Sequence, residues 1–567
     1  MTRVREGSLV ATAAFVAVGL TFVASAALAA DPSAEDALYV SQVSVATEGD
    51  LAPDAEIVRD GQPISIAEAI ALSIRNNLDI EVARFEPLIA EADRQGAWGS
   101  YDPTINADMR YDVRANPRAN NFPGQPPQNR DRVKGGGVGI DQLIPYIGAS
   151  IGFRYDATAT RTRSGIPSYK DDQIDSSLFF TARIPLARGL IWNTAWTEVK
   201  TSAIASAGAR YDFTATLMNT VQQTVDAYWS LVAARDQVRV SQKSLETARA
   251  LLDQTKTQYE VGVVSRVEVV EAEAGVADRE FGVITTANDY RNAQDALIDA
   301  VLGPELGALT DLQFAPTENP DERGTTSVDV GESVETAFAK RPELMRVKSD
   351  IERSEVSLRF AKNQRLPQFD VDMRYGYTGL GGDPNTNPAF PTREDPTDPT
   401  SPIVLPPQID FDSVDNEWFR RDGADSYRVQ GTFSIPFPNT TARKRVVRNE
   451  LDLRRAKTLK SRQEQSIVLE VRRAARTLLA SLQGIEAAER RRLAAEEQLR
   501  AERIRLEHGE STPFEVLQRE SDLVEAESQK INALRSYRLA EVGLERATGT
   551  ILDDHAVVLD SASEPQQ

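Results

Sequence analysis

The chain has 567 residues, a formal net charge of −20 at pH 7, two histidines and no cysteine. The acidic balance disfavours nucleic acid as a partner, because a polyanion repels a negatively charged protein. Without cysteine there is no disulfide, and His508 and His555 alone disfavour a histidine-based metal site or serine–histidine catalysis, so we expect no metal and no cofactor.

The N-terminus is typical of an export signal. Arg3 and Arg5 precede an apolar run over residues 9–28 that ends in alanines, the pattern of a cleaved signal peptide over residues 1–30. A membrane anchor is the alternative, but the small-residue ending argues against it. No other run approaches the roughly 20 apolar residues of a spanning helix, so any other membrane contact must use another structure. We interpret residues 31–62 as a loosely held N-terminal extension.

The remaining chain is internally duplicated. A helical pattern over residues 65–95 is followed by Pro103, and 264 residues later a helical pattern over 329–365 is followed by Pro367. The segments matched after the prolines are the Asp-Met-Arg-Tyr tetrapeptides at 108–111 and 372–375. Ungapped agreement over helix, proline and tetrapeptide indicates two copies of roughly 250 residues each.

After each proline the apolar period changes from 3.6 to 2 residues. Apolar side chains alternate with polar ones over residues 105–111, 151–155, 369–375 and 427–435. Runs of about 10 residues match tilted strands that cross a bilayer with a polar inner face. A soluble sheet with one wet face gives the same pattern, so the strands alone leave both interpretations open.

The first copy holds a hairpin without a counterpart in the second. Residues 138–144 lead to a turn at 145–148, and residues 149–160 run back. This predicts six strands per chain if all of them pair. Whether the extra hairpin joins the other strands is left open at this point.

Long polar segments separate the strands. Residues 115–137 and 379–425 are expected to be solvated loops, as between outer-membrane hairpins. We interpret the glycine-rich residues 135–139 as a flexible joint, since no helix follows them to form a phosphate site. Residues 410–415 faintly resemble a calcium loop but lack its turn glycine, and we interpret them as plain loop.

Each copy continues into its longest helix. Residues 192–261 and 441–508 repeat apolar and small residues at spacings of four and three, which predicts coiled-coil seams. About 70 residues at 1.5 Å each give roughly 105 Å. Shorter helices follow at 267–302 and 514–548. With the helix that opens each copy, they are expected to form one two-rod hairpin per copy.

A glycine turn joins the helices of each hairpin. The turns are Gly262-Val263-Val264-Ser265 and, 247 residues later, Gly509-Glu510-Ser511-Thr512. Glycine ends a helix in the left-handed conformation. Ser265 or Ser511 offers a hydroxyl cap for the next helix, and Pro513 suits its first turn.

These features resemble the TolC-like outer-membrane efflux proteins over about residues 62–552. The motifs that carry the resemblance, each occurring in both copies, are residues 259–270 and 506–517, the strand entries ending at Pro103 and Pro367, and the closing segments 301–303 and 547–549. The resemblance implies an α+β membrane protein: duplicated helical coiled-coil hairpins, plus antiparallel transmembrane β-strands that form a barrel shared by a homotrimer. The family's usual four strands per chain would become six here, or 18 per trimer.

The function that the resemblance implies is passive conduction through the outer membrane. A helical tunnel in the periplasm would receive substrates from a periplasmic adaptor protein and an inner-membrane pump of the RND, ABC or MFS type. The chain would contact outer-membrane lipid and would not be an enzyme. None of its motifs specifies the transported substrate, for efflux or for type I secretion.

The resemblance also assigns candidate site residues. The adaptor-docking tips would be Gly262, Val263, Val264 and Ser265 with Gly509, Glu510, Ser511 and Thr512. A periplasmic gate would contain Arg266, Glu268, Glu515 and Gln518; the family has acidic residues at the positions of the last two. At the membrane edge we expect the interfacial aromatics Trp98, Tyr101, Trp192 and Trp196.

Two other functions compete with a duct. One is an exported coiled-coil scaffold with a soluble β-cap and no pore, and the other is an enzyme that uses carboxylates alone. The expected domains are a signal peptide (1–30), an N-terminal extension (31–62), a first repeat (63–310), a linker (311–328), a second repeat (329–552) and a tail (553–567).

Overall fold

A computed structural model describes residues 44–45, 62–117, 128–163, 172–302, 313–321, 328–382, 394–395, 398–402 and 424–558. The expected signal peptide and the calcium-like segment at 410–415 lie outside these described residues. The chain divides into two compact units. The tip unit contains residues up to 88, 210–343 and from 464 onward, and the sheet unit contains 89–209 and 344–463.

In both copies two helices are followed by a group of strands and then by two further helices. The strands are β1 Ser44–Val45, β2 Gln62–Ile64, β3 Thr104–Pro117, β4 Gln128–Leu143, β5 Ser150–Arg163, β6 Asp172–Pro185, β7 Phe314–Pro316, β8 Gln368–Gly382, β9 Glu394–Asp395, β10 Asp398–Pro402, β11 Ala424–Ser434 and β12 Val557–Val558. The helices are α1 Ile66–Asn76, α2 Leu78–Gly96, α3 Thr194–Glu260, α4 Arg266–Leu302, α5 Val330–Lys340, α6 Pro342–Gln364, α7 Thr440–Glu507, α8 Pro513–Thr548 and α9 Ile551–Asp554. A 3₁₀ turn over Ala97–Tyr101 precedes β3.

The two longest helices confirm the sequence prediction. Helix α3 has 67 residues and α7 has 68, against an expected length of about 70. Threonine side chains along α3, such as Thr220 and Thr224, bond back to carbonyls one turn earlier, so these polar residues are satisfied inside the helix.

The helix that opens each copy is broken once, so the expectation of a continuous helix over 65–95 and over 329–365 is wrong. The breaks, at Asn77 and Arg341, are separated by the repeat offset of 264 residues. The Asn77 side chain accepts the first free backbone N–H groups of α2 and so starts a new helix. Arg341 precedes Pro342, whose ring disfavours helical backbone at the residue before it. Both copies therefore break this helix at the matched position, although asparagine stands there in the first copy and arginine, followed by proline, in the second.

In the tip unit, strand β2 and strand β7 of the linker between the two copies share one buried core. Strand β2 pairs in parallel with β7, and the fully buried Tyr228 of α3 binds β2 and the residue that follows β7. Its hydroxyl donates to the carbonyl of Ile64 at 3.0 Å and accepts the backbone N–H of Thr317 at 3.1 Å. Strand β1, within the N-terminal extension, pairs with β12 near the other end of the chain. Backbone hydrogen bonds therefore hold both segments at these points.

All six long strands lie in one antiparallel sheet of the sheet unit, in the order β11-β8-β6-β5-β4-β3. Strands β4 and β5 pair with β3 and β6 on either side, so the extra hairpin of the first copy belongs to the sheet. The strands have 11 to 16 residues, longer than the predicted 10. The prediction of six paired strands per chain is confirmed.

The glycine run at 135–139 is not a flexible joint but the interior of β4, and β3 and β4 occupy most of the predicted loop at 115–137. A Cβ added at Gly137 would lie 2.2 Å from the Asp156 carboxylate, and one at Gly135 would lie 2.9 Å from the Ala157 carbonyl. Glycine in a strand interior marks such close approach. These positions stay without side chains because the neighbouring strand occupies the space.

A charge network around Arg341 ties α5, α6, α7 and α8 together. The Arg341 side chain is 6% exposed and lies 2.5 Å from Glu470 and 3.2 Å from Glu343. Glu343 also accepts a hydrogen bond from Arg546 at 2.5 Å. Burial alone would raise the pKa of Glu343, but the hydrogen bonds from the two arginines outweigh it and lower the pKa to about 2.

This network predicts acid sensitivity of the helices. The pKa of Glu343 is lower in the folded protein than its usual 4.5. The ionised carboxylate therefore stabilises the fold fully above pH 4.5, by at most about 3 kcal/mol, and this stabilisation is lost as the pH falls towards 2. We expect the thermal midpoint of the helical circular dichroism signal to fall between neutral pH and about pH 3. The Glu343→Gln variant should have a lower thermal midpoint than wild type at neutral pH, and its midpoint should fall less on acidification.

The matched control is Glu332→Gln, which neutralises an exposed glutamate of α5. It should reproduce the wild-type pH dependence. Equal acid-induced shifts in wild type and Glu343→Gln would contradict this account of the network.

Candidate functional site

Each helix hairpin reverses at a glycine in the left-handed conformation, with φ of 79° at Gly262 and 74° at Gly509. In both turns the residue after the glycine donates its N–H five positions back, at 2.9 Å. This is the Schellman arrangement that ends helices. A Cβ added at either glycine would meet nothing within 4 Å, and Val261 and Val263 are more than 70% exposed. The turns therefore present open, partly apolar tips.

Matched hydroxyl residues cap the helices that leave the tips. The N–H of Glu268 donates to Ser265 at 3.4 Å while the Glu268 carboxylate accepts the Ser265 N–H at 3.3 Å. Glu515 and Thr512 make the same reciprocal pair at 3.4 Å in both directions. The cap of α8 is thus Thr512 and not Ser511, which instead donates its hydroxyl to Glu515 at 2.8 Å. These are capping boxes in both copies.

The four residues expected at the gate fall into two groups. Glu268 and Glu515 are engaged in the capping boxes. Arg266 and Gln518 are exposed. Among the described residues of its own chain, Arg266 has no carboxylate within ion-pair distance, so the structure does not bring it together with Glu268 or Glu515.

Sequence reasoning did not single out a buried carboxyl near the tips. Glu520 of α8 is 3% exposed. Burial raises its pKa, and the nearby Arg503 and Arg279 offset this only in part. The matched residue of the first copy, Glu273, is exposed and pairs with Lys256 at 3.3 Å. The signal that could have found Glu520 is its spacing of four from a buried apolar position of α8.

An exposed apolar stripe runs along α4. Its members recur with heptad spacing: Val267, Val270, Ala274, Ala277, Phe281 and Ile284. Phe281 and Ile284 are 70% and 67% exposed. A seam of this spacing is typical of a helix that packs against another helix.

The two faces of the six-stranded sheet differ in chemistry. One face, the apolar face, carries a large exposed residue from almost every strand: Ile105, Met109, Phe153, Phe180, Tyr375 and Tyr427. Met109 is 99% exposed and Tyr427 is 82% exposed. Contiguous exposed apolar surface of this kind marks contact with a membrane or a partner.

The opposite face, the polar face, is lined by ion pairs. Arg154 of β5 bridges Asp108 of β3 and Asp156, and on other strands Arg183 pairs with Asp370. Each cation binds carboxylates on its own face. The alternation predicted from the sequence is therefore confirmed as two chemically distinct faces.

Three of the four predicted interfacial aromatics meet at the base of the sheet. The Trp98 ring lies 5.8 Å from Tyr101 and 6.2 Å from Trp196. Tyr146, from the turn of the extra hairpin, joins them at 4.6 Å from Trp196 and was missed by sequence reasoning. Trp192 instead stacks with an arginine of α6. The extra hairpin is thus anchored to the helices by aromatic contacts.

Over the described ranges, none of the helices is both long and apolar enough to traverse a bilayer. Over the same ranges, no group of three or more histidine, aspartate or glutamate side chains is placed to hold a metal ion.

Comparison with known proteins gives one family. The sequence profile described as "Outer membrane efflux protein" matches residues 137–303 and 334–550, which is more than half of the chain and lies in both copies.

Curated relatives and solved structures agree with that match. Outer membrane protein TolC of Vibrio cholerae serotype O1 is 22% identical over 414 residues, which cover 72% of this chain and 83% of the relative. TolC of Escherichia coli K12 is 22% identical over 428 residues, covering 74% and 77%. The Campylobacter jejuni CmeC outer membrane channel has a TM-score of 0.58 at 15% identity, covering 87% of this chain and 89% of that one. The open state of the Neisseria gonorrhoeae MtrE outer membrane channel has a TM-score of 0.57 at 12% identity, covering 90% and 98%. The structures support the fold.

Proposed function

The chain belongs to the outer membrane efflux protein family and is an outer-membrane efflux channel, and we propose that it works as a homotrimer whose three sheets close into one 18-stranded barrel. The observation that supports this most directly is the open six-stranded sheet with an exposed apolar face. A scaffold with a soluble β-cap would expose that apolar face to water, which is strongly unfavourable in free energy. Lipid would cover it.

The free edges of the sheet support closure by several copies. Strands β3 and β11 each have a hydrogen-bonded neighbour on one side only within the described chain. An open edge in a bilayer leaves backbone groups unpaired, so a spanning sheet must close. Six strands are too few, because the smallest such barrels have eight. With an even number of strands per copy, β3 of one copy meets β11 of the next in the antiparallel sense.

The apolar stripe of α4 supports the same assembly. Val270, Phe281 and Ile284 are exposed in the single chain, and a neighbouring copy would cover them. A tunnel of packed helices needs such contacts between copies as well as within each copy.

The tips are proposed to receive a periplasmic adaptor protein, which links the channel to an inner-membrane pump. The left-handed glycines leave backbone uncovered, and the exposed Val261, Val263 and Phe514 supply apolar contacts. A helical hairpin with an apolar stripe would find complementary surface here.

The gate is proposed to contain Arg266, Glu268, Glu515 and Gln518. Three copies of Glu515 around a three-fold axis would form a carboxylate ring that favours cations, while its capping role fixes its position. Arg266 would pair with a carboxylate of a neighbouring copy. An exposed pair of this kind is worth about 0–1 kcal/mol, weak enough for docking to release.

The aromatics at the base of the sheet are proposed to mark the inner edge of the membrane. Trp98 is partly exposed while Tyr101 is buried, so one side of the aromatic cluster is solvent-exposed and the other is buried. Indole and phenol rings favour such a boundary because their polar groups can stay hydrated.

The gate is tested by conductance in a planar bilayer. Glu515→Gln keeps a side chain that can cap the helix and removes the charge, so cation-over-anion selectivity should fall several-fold. Arg266→Gln should raise the resting conductance. The matched control is Glu510→Gln, which removes a carboxylate at the same tip and should change neither property. Unchanged selectivity in Glu515→Gln would reject the ring.

Docking is tested by two double variants that share the same backbone strain. Alanine or leucine at Gly262 and Gly509 costs about 1 kcal/mol per site, because any side chain is disfavoured at positive φ. The alanine pair adds little volume and should bind the adaptor, whereas the leucine pair should lose binding at least tenfold by surface plasmon resonance. If both pairs bind normally, or both fail equally, the tips are not the contact surface.

A further inference from the structure

A cluster of cations lies on the apolar face of the sheet, at the ends of β4 and β5 that are remote from the helices. The register places Arg130, Arg132 and Lys134 on the same face as Val138 and Ile140 of β4. The three cations are exposed. We call Arg130, Arg132 and Lys134 the basic patch.

The register sets like charges opposite each other. Arg132 is directly paired with Arg161 of β5, and Arg130 with Arg163. Like charges directly opposite each other across a sheet are destabilising. One acidic residue, Asp172, stands across from Arg161 on the next strand. The register thus places more cations than carboxylates at this end of the apolar face.

The basic patch has no carboxylate partner within the described chain: its three residues take part in none of the ion pairs found there. This contrasts with the polar face, where Arg110 pairs with Asp112 and Arg154 with Asp108. Cations of β3 and β5 on the polar face are therefore paired with carboxylates, whereas the three cations of β4 on the apolar face are not.

Strand β3 borders the basic patch with apolar and amphipathic side chains. Tyr111 stands opposite Lys134 and is 62% exposed, and Val113 stands opposite Arg132 and is 43% exposed. Cations beside apolar surface, at the end of a membrane-facing band, match the boundary between acyl chains and charged headgroups.

We propose that the basic patch binds the phosphate groups of the anionic glycolipid in the outer leaflet of the outer membrane. This rests on the proposed function, which sets the apolar face against lipid and the strand ends remote from the helices at the cell exterior. The phosphates bind Arg130, Arg132 and Lys134, and the acyl chains pack on Tyr111 and Val113. Since the patch lies on β4, the extra hairpin contributes a lipid site in addition to two strands.

The test uses the full-length assembly in detergent and two lipid probes, diphosphoryl lipid A and the same lipid with its phosphates removed. Native mass spectrometry measures how much of each lipid stays bound. The patch variant is Arg130→Gln, Arg132→Gln and Lys134→Gln. The matched control is Arg110→Gln, Arg114→Gln and Arg428→Gln, which removes three exposed cations from the polar face of the same sheet.

Wild type and the control should retain several-fold more diphosphoryl lipid A than the patch variant. The dephosphorylated lipid should bind all three proteins equally. Equal retention of diphosphoryl lipid A by wild type and the patch variant, or equal retention of both lipids by wild type, would overturn the proposal.

Conductance in a planar bilayer separates this outcome from failure of the proposed function. If the patch variant forms pores like wild type while its lipid A retention is also unchanged, the lipid site alone is wrong. If wild type forms no pores, the proposed channel architecture is wrong, and the lipid proposal fails with it.

Discussion

The pairing of backbone hydrogen bonds at the sheet edges is the constraint on which the proposed assembly depends. A six-stranded sheet with an exposed apolar face cannot end in lipid with two rows of unpaired backbone groups, because each costs several kcal/mol there. In the described chain the edge strands are β3 and β11. Closure by further copies would satisfy both edges at once. In such an assembly the helices of neighbouring copies would also pack together, and this packing would cover the apolar stripe on α4.

Because the chain is duplicated, both helix hairpins have the same local geometry at their turns. Both hairpins turn at a left-handed glycine, and both following helices start with a capping box, from Ser265 in one copy and Thr512 in the other. The copies differ in the number of long strands that they contribute to the sheet. Within the described residues, the hairpin β4–β5 occurs in the first copy alone, and Tyr146 in its turn is packed on Trp196. The insertion therefore extends the sheet while the helices keep their repeat.

Sequence periodicity predicted the two copies, the long helices, the glycine turns and the alternating strands, because each depends on local spacing. It misassigned features that depend on neighbours distant in sequence. The glycines at 135–139 look flexible in isolation, yet Asp156 and Ala157 across the strand pair leave no room for side chains. The burial of Glu520 likewise depends on tertiary contacts. The helix break at Asn77 follows instead from a local side-chain cap that hydrophobic periodicity does not detect. The candidate tips and gate follow from the resemblance, and their roles require partners that a single chain does not contain.

The most direct measurement of the proposed closure is disulfide crosslinking between the two edge strands. Because the chain has no cysteine, introduced pairs are the only thiols present. Met109 of β3 is replaced by cysteine, and a second cysteine is scanned along the same face of β11, through Tyr427, Val429, Gly431 and Phe433. Closure as a trimer predicts that at least one pair, upon oxidation, yields a covalent species of three chains on a denaturing gel, with no larger ladder. If no pair crosslinks, or if the products extend beyond three chains, the account of three sheets closing one barrel is contradicted.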